Sequence, residues 1–168
     1  MAGFAIWHLG ADGPRAKELF SRSLAVNPNS PMALTMCAWF ESAFPESGVA
    51  IELIGRARRL SPRDPRAWLM STTMALVGMW ARKHDDAVAW AKRAVTQNAR
   101  ALPARRIMVI SLMQLGQRDQ AARAVAEILA LDPQFTVSSF RLRNPSAHFD
   151  DARFKFMFDA LRDAGVPE

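Results

Sequence analysis

Small residues seven apart, a larger apolar residue between them and a terminal breaker form a pattern that recurs four times in this 168-residue chain, with Ile128 and Ala99 as departures, and few folds accept it. The clearest copy is Ala50, Ile54, Ala57, Leu60 and Pro62. Ala16, Phe20, Ser23, Val26 and Pro28 repeat it upstream, and two further copies begin at Ala87 and Ala121. The closing markers Pro28, Pro62, Ala99 and Pro133 are 34, 37 and 34 residues apart. A fixed period of this size is the signature of helix pairs stacked side by side, each burying a face that it cannot bury alone. The fold class is therefore all-α: a right-handed superhelix of about three and a half helix pairs, with a capping helix after it.

The expected units are 1–28, 29–62, 63–99 and 100–133, followed by a tail, 134–168. Asn29-Ser30-Pro31 starts unit two as an N-cap with proline at the first helical position. Asp64-Pro65 is expected to do the same for unit three. The three extra residues of that unit should lengthen its first helix to Trp80, with a turn at 82–85. Leu115-Gly116-Gln117 joins the helices of unit four, where glycine can take the left-handed conformation that ends a helix. About one turn of the first unit's first helix is missing before Met1, so a truncated array is expected, with an uncovered apolar end through which two copies could pair. In the tail, Phe154, Met157, Phe158 and Leu161 make an i, i+3, i+4, i+7 stripe on a helix of about 150–163. That helix is placed to cap the stack, or to fold back and fill its groove.

The repeat resembles the tetratricopeptide repeat over about residues 4–133. Ala16, Ala50, Ala87 and Ala121 match its first small site, and Phe20, Ile54, Ala91 and Val125 the larger one. Ser23, Ala57 and Ala94 match the second small site, where Ile128 departs. Leu34, Trp68 and Arg105 stand at the large apolar site of the first helices, and Arg105 departs from it. The tail from Phe135 to Arg141 and from Phe158 to Glu168 resembles the ending of bacterial multidomain signalling proteins. Those proteins carry a nucleotide-cyclase or winged-helix domain followed by such repeats. The resemblance implies a non-catalytic, C-terminal regulatory region, while a single cysteine and the absence of a signal peptide point to a reducing cytoplasm.

It also implies a concave groove lined by the first helices. The groove-facing side chains would be Met32, Thr35, Met36 and Trp39, then Arg66, Leu69, Met70 and Thr73, then Arg106, Ile110 and Gln114. Met, Trp and Arg together suit the capture of a protein or peptide, acidic groups included. For Met36 and Met70, packing between helices is an equal alternative. The family's carboxylate clamp for chaperone tails needs Lys, Asn and Arg where this chain has Thr35, Trp39, Met70, Pro103 and Ile107, which argues against chaperone binding.

No catalytic constellation stands out, and neither a cofactor nor a metal is called for. His8, His84 and His148 fall in different units, whereas metal sites need clustered donors. Asp85-Asp86 and Asp150-Asp151 suit helix dipoles. Cys37, the single cysteine, excludes an intrachain disulfide and lies on a face expected to be buried. The uncharged stretch 67–81 is shorter than the ~20 apolar residues a membrane span needs. Charge leaves one alternative, a nucleic-acid-binding repeat, because residues 63–101 hold seven basic against three acidic residues. Lys92 and Arg93 should nonetheless point outward from a second helix.

Overall fold

The computed structural model describes residues 13–44, 46, 48–142 and 152–168. The described residues are helices joined by short turns: α1 (Gly13–Val26), α2 (Pro31–Glu41), α3 (Val49–Leu60), α4 (Ala67–Trp80), α5 (His84–Gln97), α6 (Leu102–Gln114), α7 (Arg118–Leu131), α8 (Val137–Leu142) and α9 (Ala152–Asp163). Neighbours in sequence pack as hairpins, α2 on α3, α4 on α5 and α6 on α7. The first helices also touch one another, α2 with α4 and α4 with α6, so they form one wall. The expected missing helix turn, His8 and the expected dimer face fall on residues 1–12, and His148 and Asp150-Asp151 on 143–151; both stretches lie outside the described residues.

The small residues set the helix spacing. Ala50, Ala57, Ala87, Ala91, Ala94 and Ala121 are all fully or almost fully buried, which lets backbones approach closely. Ile128, which departs from the small site, is also fully buried and fills the seam beside α6. Ser23 does not behave as a seam residue and is exposed. In α1 the contact is carried by Ala16, Phe20 and Leu24, four residues apart, which meet Met36, Cys37 and Phe40 of α2.

Local sequence explains the ends. The Ser30 hydroxyl accepts the Ala33 N–H at 3.2 Å, with Pro31 leading the helix. At unit three the expectation needs correcting: α4 starts at Ala67, with Arg66 rather than Asp64 at the cap. Pro65 fixes a turn first, in which Asp64 Oδ1 accepts the Arg66 N–H at 2.8 Å and the Asp64 carbonyl accepts from Ala67. After α6, Gly116 takes a φ of +72°, while Gln117 N–H reaches the Leu112 carbonyl and Gly116 N–H that of Met113. The same closure ends α4, with Arg82 at φ +59° in the glycine's place.

The tail does not add a further pair. Helix α9 packs on α6 and on the short α8, so it closes the array from the inner wall. Its Met157, Phe158, Ala160 and Leu161 are buried in one cluster with Ile107, Ile110 and Phe140.

Candidate partner-binding groove

The wall formed by α2, α4 and α6 divides into two halves with different contents. Between α2 and α4 lies a shallow open dip lined by Pro31, Met32, Thr35, Asp64, Arg66, Leu69 and Met70. Pro31 begins α2 and the Asp64–Arg66 turn begins α4, so both helix starts deliver their first turns to the dip. The Thr35 hydroxyl donates back to the Pro31 carbonyl at 2.7 Å, so its proton is already committed within the helix. Arg66 is half exposed, and its Nε lies 3.4 Å from Asp64 Oδ1. Burial raises the Asp64 carboxyl, but the backbone N–H and guanidinium of Arg66 outweigh it and hold the group below its usual value. The dip thus presents a fixed carboxylate with a guanidinium fork beside apolar Met32, Leu69 and Met70.

Over α6 the wall is occupied by the chain itself. The Arg106 guanidinium carbon lies 5.3 Å from the ring centres of both Phe135 and Phe140, and its Nε donates to the Leu102 carbonyl at 3.3 Å. Trp80, at the end of α4, meets Phe154 and Phe156 of α9 edge-on, at 5.2 and 5.9 Å.

The eleven expected groove residues therefore separate. Met32, Arg66 and Leu69 stand partly or largely open at the dip, and Trp39 is half-buried on the same helix as Met32. Gln114 is exposed at the far end of α6. Met36 and Ile110 are buried, and Ile110 belongs to the cluster that includes α9. Met70 touches the dip but is otherwise buried. Thr73 is fully buried, with its hydroxyl bonded to the Leu69 carbonyl at 2.9 Å. These burials have one cause: first helices have neighbours on several sides, so a position facing the inner wall is often also a helix–helix contact. Asp64, which lines the dip beside Arg66, is the functional candidate that reasoning from the sequence missed. The cue was available, since a carboxylate two residues before an arginine across a proline favours this turn.

Cys37 is buried, its thiol faces the Phe20 carbonyl at 3.7 Å, and burial, assisted by Glu41, raises its pKa to about 11. Among the described residues no three His, Cys, Asp or Glu side chains gather as a metal site requires. None of the helices among them is long and apolar enough to cross a membrane. The basic residues of unit three are exposed: Lys92 and Arg93 stand on α5, off the inner wall, and Arg93 leans 5.5 Å from the Trp90 ring centre with Arg58 at 5.3 Å.

Solved structures superpose on this arrangement of paired helices. The fold is that of a tetratricopeptide-repeat array. TTC0263, a thermophilic TPR protein of Thermus thermophilus, superposes with a TM-score of 0.68 at 22% identity, over 97% of this chain and 86% of that one. MamA gives 0.59 at 18% identity, over 92% and 90%. YrrB, described as a TPR protein with an unusual peptide-binding site, gives 0.52 at 16% identity, over 92% and 77%. No family model matches the sequence, and no curated protein matches it. The likeness is one of fold, a helical solenoid of the tetratricopeptide-repeat kind.

Proposed function

We propose that this chain is a non-catalytic protein-interaction module that binds an extended peptide or a domain surface at the dip between α2 and α4. The observation that carries this reading is the pairing of exposed Arg66, fixed by Asp64, with apolar Met32 and Leu69 on the wall of first helices. A partner would set an apolar side chain against Met32 and Leu69. It would bring a carboxylate or carbonyl opposite the remaining guanidinium N–H groups, with Trp39 as a flanking contact. The described peptide-binding site of YrrB supports a peptide as the bound group. The resemblance of the tail to repeat-bearing signalling proteins supports reading the module as the C-terminal regulatory part of a bacterial cytoplasmic protein. Self-pairing through unit one stays part of the proposal as a second mode of association. Nucleic acid is disfavoured, because Lys92 and Arg93 stand outside the wall that a strand would follow.

The test is a displayed random-peptide selection against the full chain. Selected peptides should carry an acidic residue near an apolar one and lose at least tenfold in affinity to R66A and W39A, both retaining the helical circular-dichroism signal. A selection whose peptides bind both variants as tightly as the parent chain would remove the dip from consideration.

A further inference from the structure

The inner wall of units three and four carries an inference that goes beyond the dip. We infer that this wall is a docking site for an amphipathic, aromatic-bearing helix, and that the chain keeps it filled with its own α9. An external helix of the same pattern is then the partner class it accepts.

The hold on α9 is of a particular kind. Its inward stripe, Met157, Phe158 and Leu161, is buried against α6, while Phe154 and Phe156 lie at the rim on Trp80. Its ion pairs are internal: Lys155 with Asp159 at 2.8 Å, Arg162 with Asp159 at 2.9 Å, and Arg162 with Glu168 at 3.2 Å. These charges are paired within residues 152–168 and would leave with the helix. Between residues 152–168 and the rest, the described residues show one backbone hydrogen bond, Val137 N–H to the Pro167 carbonyl at 2.8 Å. The contacts that seat α9 on Trp80, Arg82 and α6 are apolar, aromatic and cation–π, which any helix with the same stripe can reproduce. By contrast, the array's own hairpins interlock along whole helices.

Arg82 makes the rim specific. It occupies the left-handed turn position that Gly116 fills in unit four, a conformation unfavourable for a side chain, and its guanidinium carbon lies 4.2 Å from the Phe156 ring centre. A glycine would suit the turn better but would give the docked helix nothing. Arg82 thus selects an aromatic residue on the occupant, at the cost of an easier turn.

Two measurements on the full chain test this. In hydrogen exchange, the amides of residues 156–163 should exchange together, at least tenfold faster than those of α6. R82G, which keeps the turn, should accelerate them further while leaving α4 and α5 unchanged. Exchange of α9 at the rate of α6, or insensitivity to R82G, overturns the inference. Separately, a labelled peptide of residues 152–168 should bind F154A/F156A at least tenfold tighter than the unaltered chain. Equal binding by the two overturns it. R66A should leave this binding unchanged, so that failure here and failure of the dip are told apart.

Discussion

His84 opens α5 with Nδ1 buried and without a hydrogen-bond partner. Burial first, and then the Arg82 charge, lower its pKa from 6.5, against a smaller opposing effect of Asp85. The folded chain therefore prefers the neutral ring, whereas the unfolded chain takes up a proton near pH 6.5. With more protons bound in the unfolded state, stability falls as the pH drops through that value. The melting midpoint should decline between about pH 7.5 and about pH 5.5. His84→Gln, which stays neutral, should flatten that part of the curve, as thermal melts at constant ionic strength will read. Asp64 and Asp159, both held below the usual carboxylate range, contribute stability that is lost as those carboxyls protonate at lower pH. Arg105 shows the same logic without titration. It stands where the repeat pattern wants a large apolar residue. Its stem fills that place, while Nη1 lies 3.1 Å from Glu127 and Nη2 donates to the Ala99 carbonyl at 2.9 Å.

At the scale of the element, Gly78 fixes how closely α4 and α5 approach. A Cβ built there would meet the Ala87 backbone N at 2.9 Å and the Lys83 carbonyl at 3.2 Å, both backbone atoms with little room to move. Gly78→Ala gains up to about 1 kcal/mol of helix propensity but overpacks the seam by ~1–3 kcal/mol. A lower urea midpoint is the expected result, and a higher one would show that the two helices can separate freely. Gly78 could have been found from the sequence, as a lone glycine inside a helical pattern rather than at a turn. The second helices were legible because each has one buried face: Ala50, Ile54 and Ala57 in α3, or Ala87, Ala91 and Ala94 in α5, recur at three or four residues. The first helices were not. Residues 70–73 of α4 are all buried, since neighbours surround it, and no periodicity remains to say which side meets a partner. That is why Thr73 and Ile110 were expected in the groove and Asp64 was overlooked. The place of α9 was equally hidden, because its stripe announces a docking helix without saying which wall receives it.

Across the whole molecule the apolar core is continuous at one end and divided at the other. One cluster joins α5, α6, α7, α8 and α9 with part of α4, while α3 with parts of α2 and α4, and α1 with α2, form separate smaller clusters. In a stacked array each unit is stabilised by its own packing and by its neighbours, so unequal interfaces give unequal local stability. Helix α1 rests on α2 alone among the described elements with extensive contact, and Val26 at its end is largely exposed. Unfolding should then begin at α1 and spread through unit two before units three and four open. Hydrogen exchange resolved by residue should show protection lowest in α1, intermediate in α2 and α3, and highest in α5, α6 and α7. Uniform protection over α1–α7 would mean that the array unfolds as one cooperative body, so that the smaller clusters are no weaker than the large one. The gradient also bears on binding. The dip lies between α2 and α4, at the border of the less stable half, so a bound peptide that bridges Met32 and Leu69 should raise protection in α2 more than in α6.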